Sequence, residues 1–317
     1  MAHARVSRVN HPARAHRRLL VGFLLGALLL PASAAHAQRV KLAVWGDSRE
    51  NLGGAVEHIT SILLKDVTDW DAVLHAGDFT HAGSADDWKR SLAFPGIAQL
   101  FQAGKFLMCT SNHDDNLATW NAYTRGVLPT NDADRTTHFY AWKKGNVHVI
   151  VLDGFFAAAD VQQRWLDAYL AKVPPTDWIV AMWHDPSYAK ITYKGAFKKA
   201  RPWLDSLYAH GATLVVNGHA HVYVRTKPLT PGGLLDPRRG IVHVVNGAGG
   251  ASWKDPQPMT AMTAFTPATK SFPCITFLTF DGDRLHLETI DARPDRRREV
   301  IDRWDTTHRL PAGEPAR

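Results

Sequence analysis

Aspartate, asparagine and histidine residues follow short apolar runs at five separate places in this sequence. They are Asp47, Asp78, the run Asn112, His113 and Asp114, then His184, and finally His219 with His221. Any one of them is explained by the polar turn that follows most strands. Carboxylate and amide oxygens combined with imidazole nitrogens, without thiolates, are ligands that suit Zn, Mn and Fe. The five places taken together therefore predict a metal site.

The apolar runs that precede these residues predict the elements that position them. Strands are predicted at residues 40–46, 72–77 and 106–110, and helical spacing is present over 53–67 and from Ser84 toward Phe101. Strands joined by helices favour parallel pairing in a sheet that is covered on both faces. The carboxyl ends of parallel strands converge on one crevice, where ligands bind. We therefore expect the polar residues to meet at a common edge.

The second half of the chain predicts more strands than one sheet holds. A hairpin is predicted over residues 139–152 and a helix over 160–172, and further strands are predicted at 178–183, 214–216, 241–245, 275–280 and 284–290. About ten strands exceed one twisted sheet in a domain of this size. The sequence predicts an α/β fold, a four-layer αββα sandwich of two mixed β-sheets flanked by helices. We expect a single domain over residues 38–317, with a C-terminal tail from about 305 and surface loops at 227–240 and 249–273.

The ordered motifs resemble those of the calcineurin-like metallophosphoesterases. They are Gly46-Asp47, Gly77-Asp78, Asn112-His113-Asp114, His184 and Gly218-His219-Ala220-His221, and residues 218–225 are most similar to the purple-acid-phosphatase branch. The resemblance spans about Val40 to Arg225 and extends more loosely to about Trp304. It implies two bound metal ions, drawn from Fe, Zn and Mn, with Asp78 bridging them. It further implies that Asp47 and His221 hold the first ion, and that Asn112, His184 and His219 hold the second.

The resemblance also implies a reaction. Two cations that share a carboxylate lower the pKa of a water between them, and the resulting hydroxide attacks a phosphate ester. His113 is the expected catalytic acid, because it lies next to a ligand and can protonate the leaving alkoxide. Asp114 is expected to orient the ring of His113.

Two positions depart from the family pattern. Many members carry a ligating His two residues after the first Asp, where this chain has Arg49, and purple acid phosphatases carry Tyr three residues after the bridging Asp, where this chain has His81. We expect His81 to supply the missing ligand; a loop residue, with water completing the site, is the alternative. Arg49 is either a clamp for phosphate oxygens or a solvated charge. Tyr188 and Tyr223 are candidates to line the substrate pocket, with ordinary packing as the alternative.

The basic excess of the chain is concentrated at its N-terminus. The formal charge is +7, but residues 1–37 contain five arginines and no acidic residue, followed by an uncharged run from Leu19 to Leu30 and small residues at 34–37. This arrangement predicts a signal peptide, and Arg17-Arg18 resembles a twin-arginine export signal. A retained N-terminal anchor is the alternative. Export also permits a bond between Cys109 and Cys274, whose apolar surroundings equally suit two buried thiols.

Cleavage after Ala37 would leave residues 38–317 with a charge of only +2. That charge disfavours a nucleic-acid-binding module, and no stable membrane anchor is expected after cleavage. The sequence thus predicts a periplasmic or secreted dinuclear-metal phosphoesterase that hydrolyses small phosphate monoesters by attack of a metal-bridging hydroxide. The alternatives are a phosphodiesterase acting on nucleotides or lipid head groups and, because of Arg49, a metal-binding homologue without catalysis.

Overall fold

Thirteen β-strands and six α-helices make up the described part of the chain. The structure, a computed structural model, describes Met1 and residues 38–114, 116–189, 192–255, 258–268, 271–296 and 298–308, so the predicted leader lies outside the described residues. The strands are β1 (Val40–Trp45), β2 (Ala72–His75), β3 (Phe106–Met108), β4 (Tyr140–Lys144), β5 (Val147–Val151), β6 (Trp178–Met182), β7 (Leu214–Asn217), β8 (Tyr223–Thr226), β9 (Val242–Asn246), β10 (Thr263–Phe265), β11 (Cys274–Asp281), β12 (Arg284–Asp291) and β13 (Val300–Thr307). The helices are α1 (Ala55–Ser61), α2 (Ala85–Leu92), α3 (Ile97–Gln102), α4 (Leu117–Thr124), α5 (Ala159–Leu170) and α6 (Arg201–Ala209).

The strands form two mixed sheets. The first has the order β13-β12-β11-β1-β2-β3, and the second has the order β10-β8-β9-β7-β6-β5-β4. Strands β1, β2 and β3 pair in parallel at one end of the first sheet, and β5, β6, β7 and β9 pair in parallel in the middle of the second; the remaining pairs are antiparallel. Each sheet therefore has a group of parallel strands, whose carboxyl ends lie at one edge.

The alternation of side chains along the strands produces the layers. In β6, Trp178, Val180 and Met182 belong to the main core, which also contains side chains of β1, β2 and β11. The intervening residues Ile179 and Ala181 belong to a second apolar cluster that includes residues of α5 and α6. Apolar residues on both faces are typical of a parallel strand covered on both sides. The predicted sandwich of two mixed sheets with flanking helices is confirmed.

The elements differ from the sequence expectations in several places. Strands β8, β10 and β13 and helices α4 and α6 were not predicted; β10 lies within the predicted loop 249–273, and β13 continues past residue 305 to Thr307. Ser84 stands at the predicted start of the helix and caps α2, because its hydroxyl accepts a hydrogen bond from the Asp87 N–H. The predicted single helix is divided into α2 and α3 at Pro95 and Gly96, since Gly96 adopts a left-handed φ of 81°. Cys109 and Cys274 are buried free thiols. No helix of the described residues is long and apolar enough to cross a membrane.

Polar contacts join the two sheets. Tyr140 of β4 donates its hydroxyl to the Met108 carbonyl of β3 and accepts from the Met108 N–H, both at 2.9 Å. Arg225 of β8 forms a two-pronged ion pair with Asp302 of β13, at 2.7 and 2.8 Å. The Tyr223 hydroxyl donates to the same carboxylate. Both charged side chains are at least nine-tenths buried. Each charge is therefore compensated by the other rather than by water.

We predict that Asp302→Ala lowers the free energy of unfolding by about 3 to 5 kcal/mol, because it leaves the Arg225 charge buried without a partner. The measurement is urea-induced unfolding followed by circular dichroism. Glu288→Ala is the matched control, since it removes another ion pair made by β13, between Glu288 of β12 and Arg303, whose side chain is 63% exposed. That control should cost about 0 to 1 kcal/mol. Equal losses for the two variants would contradict the assignment.

Candidate metal centre

The polar residues singled out from the sequence lie at the carboxyl ends of the parallel strands of both sheets. Asp47 follows β1, Asp78 follows β2, Asn112 and His113 follow β3, His184 follows β6, and His219 and His221 follow β7. Asp47, Asp78 and His219 have left-handed backbones, with φ of 59°, 54° and 64°. Non-glycine residues adopt this conformation at a cost that is met mainly at functional sites. The chain is thus turned sharply where these side chains are presented.

The predicted metal ligands come together, with the exception of His81. Oxygen and nitrogen atoms of Asp47, Asp78 and His184 lie within 4.8 Å of one another. His221 Nε2 lies 3.5 Å from Asp47 Oδ1, and Asn112 Oδ1 lies 2.9 Å from His219 Nδ1 and 3.2 Å from His184 Nε2. We call Asp47, Asp78 and His221 the first ligand group, and Asp78, Asn112, His184 and His219 the second ligand group.

Backbone carbonyls fix the orientation of two of the imidazoles. His184 donates its Nδ1–H to the Ala76 carbonyl, and His221 donates its Nδ1–H to the Ser252 carbonyl, each at 2.7 Å. A carbonyl only accepts, so the proton is assigned to Nδ1 and Nε2 faces the aspartates. This is the usual arrangement around a ligating histidine, in which the second nitrogen is tied down by an acceptor.

Asp185 was missed by the sequence analysis, although it directly follows a predicted ligand. Its Oδ1 lies 3.5 Å from His219 Nε2, on the far side of the ring from Asn112, and its Oδ2 is buried with no hydrogen-bond partner in the described structure. A carboxylate at this nitrogen favours a proton on Nε2 of His219, and so leaves Nδ1 to face the second ligand group.

Glycines allow the strands to approach closely at this edge. A Cβ at position 77 would lie 2.6 Å from His184 Nδ1, and a Cβ at position 218 would lie 2.5 Å from Asp47 Oδ2. Asp47 also accepts hydrogen bonds from the His219 N–H at 2.9 and 3.1 Å, which ties the end of β1 to the turn after β7. Without side chains at Gly77 and Gly218, ligands from the two sheets reach each other.

The titratable groups of the cluster are buried, and burial together with their mutual charges shifts their pKa values. Burial raises the pKa of Asp47 well above its usual range, and repulsion from the Asp78 carboxylate adds to this rise. Burial opposes the charged form of His184, but attraction to Asp78 and Asp47 outweighs it and raises the pKa of His184 to about 10. Burial, reinforced by the positive charge of His184, lowers the pKa of His219 to about 3. Protonated His184 thus provides positive charge among the carboxylates.

The donor set fits divalent cations. Asp78 Oδ1 is buried and, within the described residues, has no hydrogen-bond partner; His184 Nε2 lies 3.1 Å away without the geometry of a hydrogen bond. Two carboxylates, an amide oxygen and three imidazoles, with no thiolate among them, suit Zn, Mn or Fe. Metal binding would displace the proton of His184, because ligands must be deprotonated.

His113 lies at the same edge, but the prediction for its orienting residue was wrong. Its Nε2 is 3.9 Å from Asp78 Oδ2, and its Nδ1–H donates to the His81 carbonyl at 2.6 Å. Asp114 is buried and instead accepts from the Thr80 N–H and hydroxyl and from the Ser111 hydroxyl. The carboxylate therefore fixes the loop after Asp78, and the backbone of that loop orients the ring.

The side chain of His81 does not join either ligand group. It is exposed, and its ring centre lies 5.9 Å from that of His113. The loop that Asp114 holds presents the His81 carbonyl to His113, and among the described residues the His81 ring contacts none of Asp47, Asp78 and His221. The expectation that His81 supplies a metal ligand is therefore wrong for this structure, which favours the alternative of a loop residue.

Arg49 reaches the cluster, whereas the predicted tyrosines do not line it. Arg49 Nη1 lies 3.8 Å from Asp78 Oδ2. Tyr223 is 1% exposed in the core between the sheets, so its assignment to the substrate pocket is wrong. Tyr188 is half-buried and donates its hydroxyl to the Thr230 carbonyl, while its ring packs on His243. These are the contacts of a residue that packs within the fold. They favour ordinary packing for Tyr188 over a place in the substrate pocket.

Tyr193 is an aromatic residue beside the cluster that the sequence analysis missed. Its hydroxyl accepts a hydrogen bond from the His221 N–H at 3.2 Å, and its side chain is 37% exposed. Its position in the loop after His184 was the available signal, but that loop has no pattern that distinguishes one aromatic residue from another.

Comparison with known proteins agrees with this geometry. The family model described as calcineurin-like phosphoesterase matches residues 40–223. Purple acid phosphatase 15 of Arabidopsis thaliana is 30% identical over 214 residues, which cover 57% of this chain and 40% of that protein. Human acid phosphatase type 7 is 24% identical over 281 residues, which cover 78% of this chain and 61% of that protein. The chain thus spans about half the length of these relatives.

The fold is also that of a solved phosphatase. The structure of a purple acid phosphatase from yellow lupin (Lupinus luteus) seeds superposes with a TM-score of 0.68 at 18% identity, covering 86% of this chain and 55% of that one. At this level of identity the likeness concerns the fold alone. The match of the family model over residues 40–223, with the motifs converging at one edge, shows that the chain belongs to the calcineurin-like phosphoesterase family.

Proposed function

We propose that this protein is an exported phosphoesterase that uses two metal ions to hydrolyse phosphate monoesters. The observation that carries the proposal is the position of Asp78. This buried carboxylate belongs to both ligand groups, and His113 and Arg49 approach its Oδ2 at 3.9 and 3.8 Å. A shared carboxylate is the feature that a two-metal site requires to keep its ions close together. The acid-phosphatase names of the relatives support the same reaction class.

Cations held by the two ligand groups would supply the charge that lowers the pKa of an attacking water and polarises the phosphoryl oxygens. The side chains of the chain account for the remaining tasks. The guanidinium of Arg49 has donors that fit two oxygens of a phosphoryl group. Nε2 of His113 is directed to the cluster, and the ring protonated at both nitrogens can deliver its Nε2 proton to the leaving alkoxide while Nδ1–H stays bound to the His81 carbonyl.

Export and a periplasmic or secreted location are part of the proposal. They are supported by the arginine-rich start, the short uncharged run and the small-residue stretch within residues 1–37. A phosphodiester substrate is the competing assignment, because the same metal-binding edge serves both reactions. The tests below therefore measure an aryl phosphate monoester and its diester side by side.

We predict that Asp78→Asn abolishes hydrolysis and lowers the bound metal, because Asp78 belongs to both ligand groups. Metal content is measured by mass spectrometry of the purified protein, and activity with the two aryl esters. Asp66→Asn, a change at a carboxylate on the turn after α1, is the control. This variant should retain the bound metal and the hydrolytic activity. A wild-type protein that binds metal but hydrolyses neither ester would support the non-catalytic alternative. A clear preference for the diester would favour the phosphodiesterase.

We predict that His113→Ala lowers kcat on an alkyl phosphate by about 10² to 10⁴, the range for loss of a general acid, while metal content is retained. The loss should be smaller for an aryl ester with a good leaving group, which needs less protonation. His286→Ala, at a half-exposed histidine paired with Asp305, is the control. A variant with full activity on both esters would contradict the assignment of His113.

We predict that Gly218→Ala lowers metal affinity by about 10-fold to 100-fold, because the added Cβ collides with Asp47 Oδ2 and moves a ligand. Titration of metal-stripped protein with Mn²⁺ measures the effect. Gly195→Ala is the matched control, since nothing lies within 4 Å of the Cβ that it adds. Unchanged affinity in Gly218→Ala would contradict the prediction that the close approach at Gly218 is needed to position Asp47.

A further inference from the structure

Arg49 carries a buried positive charge with unused hydrogen-bond donors. Its side chain is 9% exposed, and its Nε and Nη1 are buried with no hydrogen-bond partner in the part of the chain that the structure describes. The guanidinium lies against two carboxylates, with Nη1 at 3.8 Å from Asp78 Oδ2 and 3.4 Å from Glu50 Oε1. An arginine stays protonated in proteins, so this charge is permanent.

The contacts of Arg49 place that charge on the side of the first ligand group. Glu50 Oε2 accepts hydrogen bonds from the N–H and hydroxyl of Ser252, at 3.1 and 3.3 Å. The carbonyl of the same Ser252 accepts from His221 Nδ1. Arg49, Glu50, Ser252 and His221 therefore form one connected series of contacts that ends at the first ligand group.

The two ligand groups are unequal. The second ligand group has four side chains, whereas the first ligand group has only Asp47, Asp78 and His221, because the exposed His81 ring makes no contact with these three in the described structure. A cation in the first ligand group would share Asp78 with a guanidinium that repels it. Two like charges within several ångströms in a poorly solvated site repel each other strongly.

We infer that Arg49 makes the first ligand group a weak cation site that fills only together with a phosphoryl anion, whereas the second ligand group binds its ion alone. This inference rests on the proposed function. A tetrahedral oxyanion between the guanidinium and the cation turns their repulsion into two attractions, because its oxygens contact both. By linkage, the anion and the cation in the first ligand group then raise each other's affinity by the same factor.

The test is calorimetric titration of the metal-stripped full-length chain with Mn²⁺, with and without inorganic phosphate. In the wild type we expect one Mn²⁺ to bind tightly and another to bind about tenfold more weakly or less tightly still. Phosphate should raise the affinity of the weaker site for Mn²⁺ by about tenfold or more. Arg49→Met should strengthen the weaker site by about tenfold or more, so that the two affinities lie closer together than in the wild type, and it should lose most of the phosphate effect. Arg49→Lys keeps the charge and should remain unequal, as in the wild type.

Arg164→Met is the matched control, because it removes an exposed arginine from α5 and should reproduce the wild-type titration. Arg49→Gln replaces Arg49→Met if the latter does not fold, as judged by circular dichroism. Two equal sites in the wild type without phosphate, or a weaker site that is no stronger in the neutral variants, would overturn the inference. These results leave the proposed function intact if the wild type hydrolyses phosphate esters. A protein that binds none of Mn²⁺, Zn²⁺ and Fe²⁺ would instead overturn both.

Discussion

Two aspartates buried at the ends of neighbouring strands impose the constraint on which the rest of this edge depends. β1 and β2 pair in parallel, with Trp45 opposite His75, so that the chain reaches Asp47 and Asp78 at the same level of the sheet. Both side chains are almost fully buried, at 0% and 1% exposed. Buried carboxylates this close together require positive charge nearby, whether from a protonated imidazole, a guanidinium or a metal ion. The surrounding residues supply ligands and cations for that purpose.

The second sheet meets this requirement through its own strand ends. His184 and the two histidines after β7 come from the parallel centre of that sheet, and their rings approach the aspartates of the first sheet. The contact is possible because Asp47 accepts hydrogen bonds from the His219 backbone and because Gly218 has no side chain to block the approach. Polar contacts remote from the site, such as the Arg225–Asp302 pair, hold the two sheets together. The approach of the histidines to the aspartates depends on this packing. The ligand groups are thus a property of the packed sandwich rather than of either sheet.

The sequence predicts the ligands better than it predicts their surroundings. Asp47, Asp78 and His184 follow apolar runs that are buried on both faces, so the strand and its end are both visible in the pattern. Strand β8 was missed because it begins almost directly after the 218–221 motif. Strand β13 was missed because charged residues such as Arg303 alternate on its exposed face. Tyr223 was misassigned because proximity along the chain to His221 does not reveal that the strand turns its ring into the core. The role of Asp114 depended on loop hydrogen bonds that no spacing specifies.

The exposure of the groups around Asp78 suggests how a substrate enters. His113 and Arg49 approach the same oxygen, Asp78 Oδ2, but the side chain of His113 is 29% exposed, whereas that of Arg49 is 9% exposed. A phosphate ester that uses both must therefore direct its phosphoryl oxygens inward to the guanidinium and its leaving group outward past the imidazole. Under the proposed function, the alcohol part then lies toward solvent. The buried guanidinium would then select for the charge of the phosphoryl group, while the leaving group would meet the more exposed side of the site.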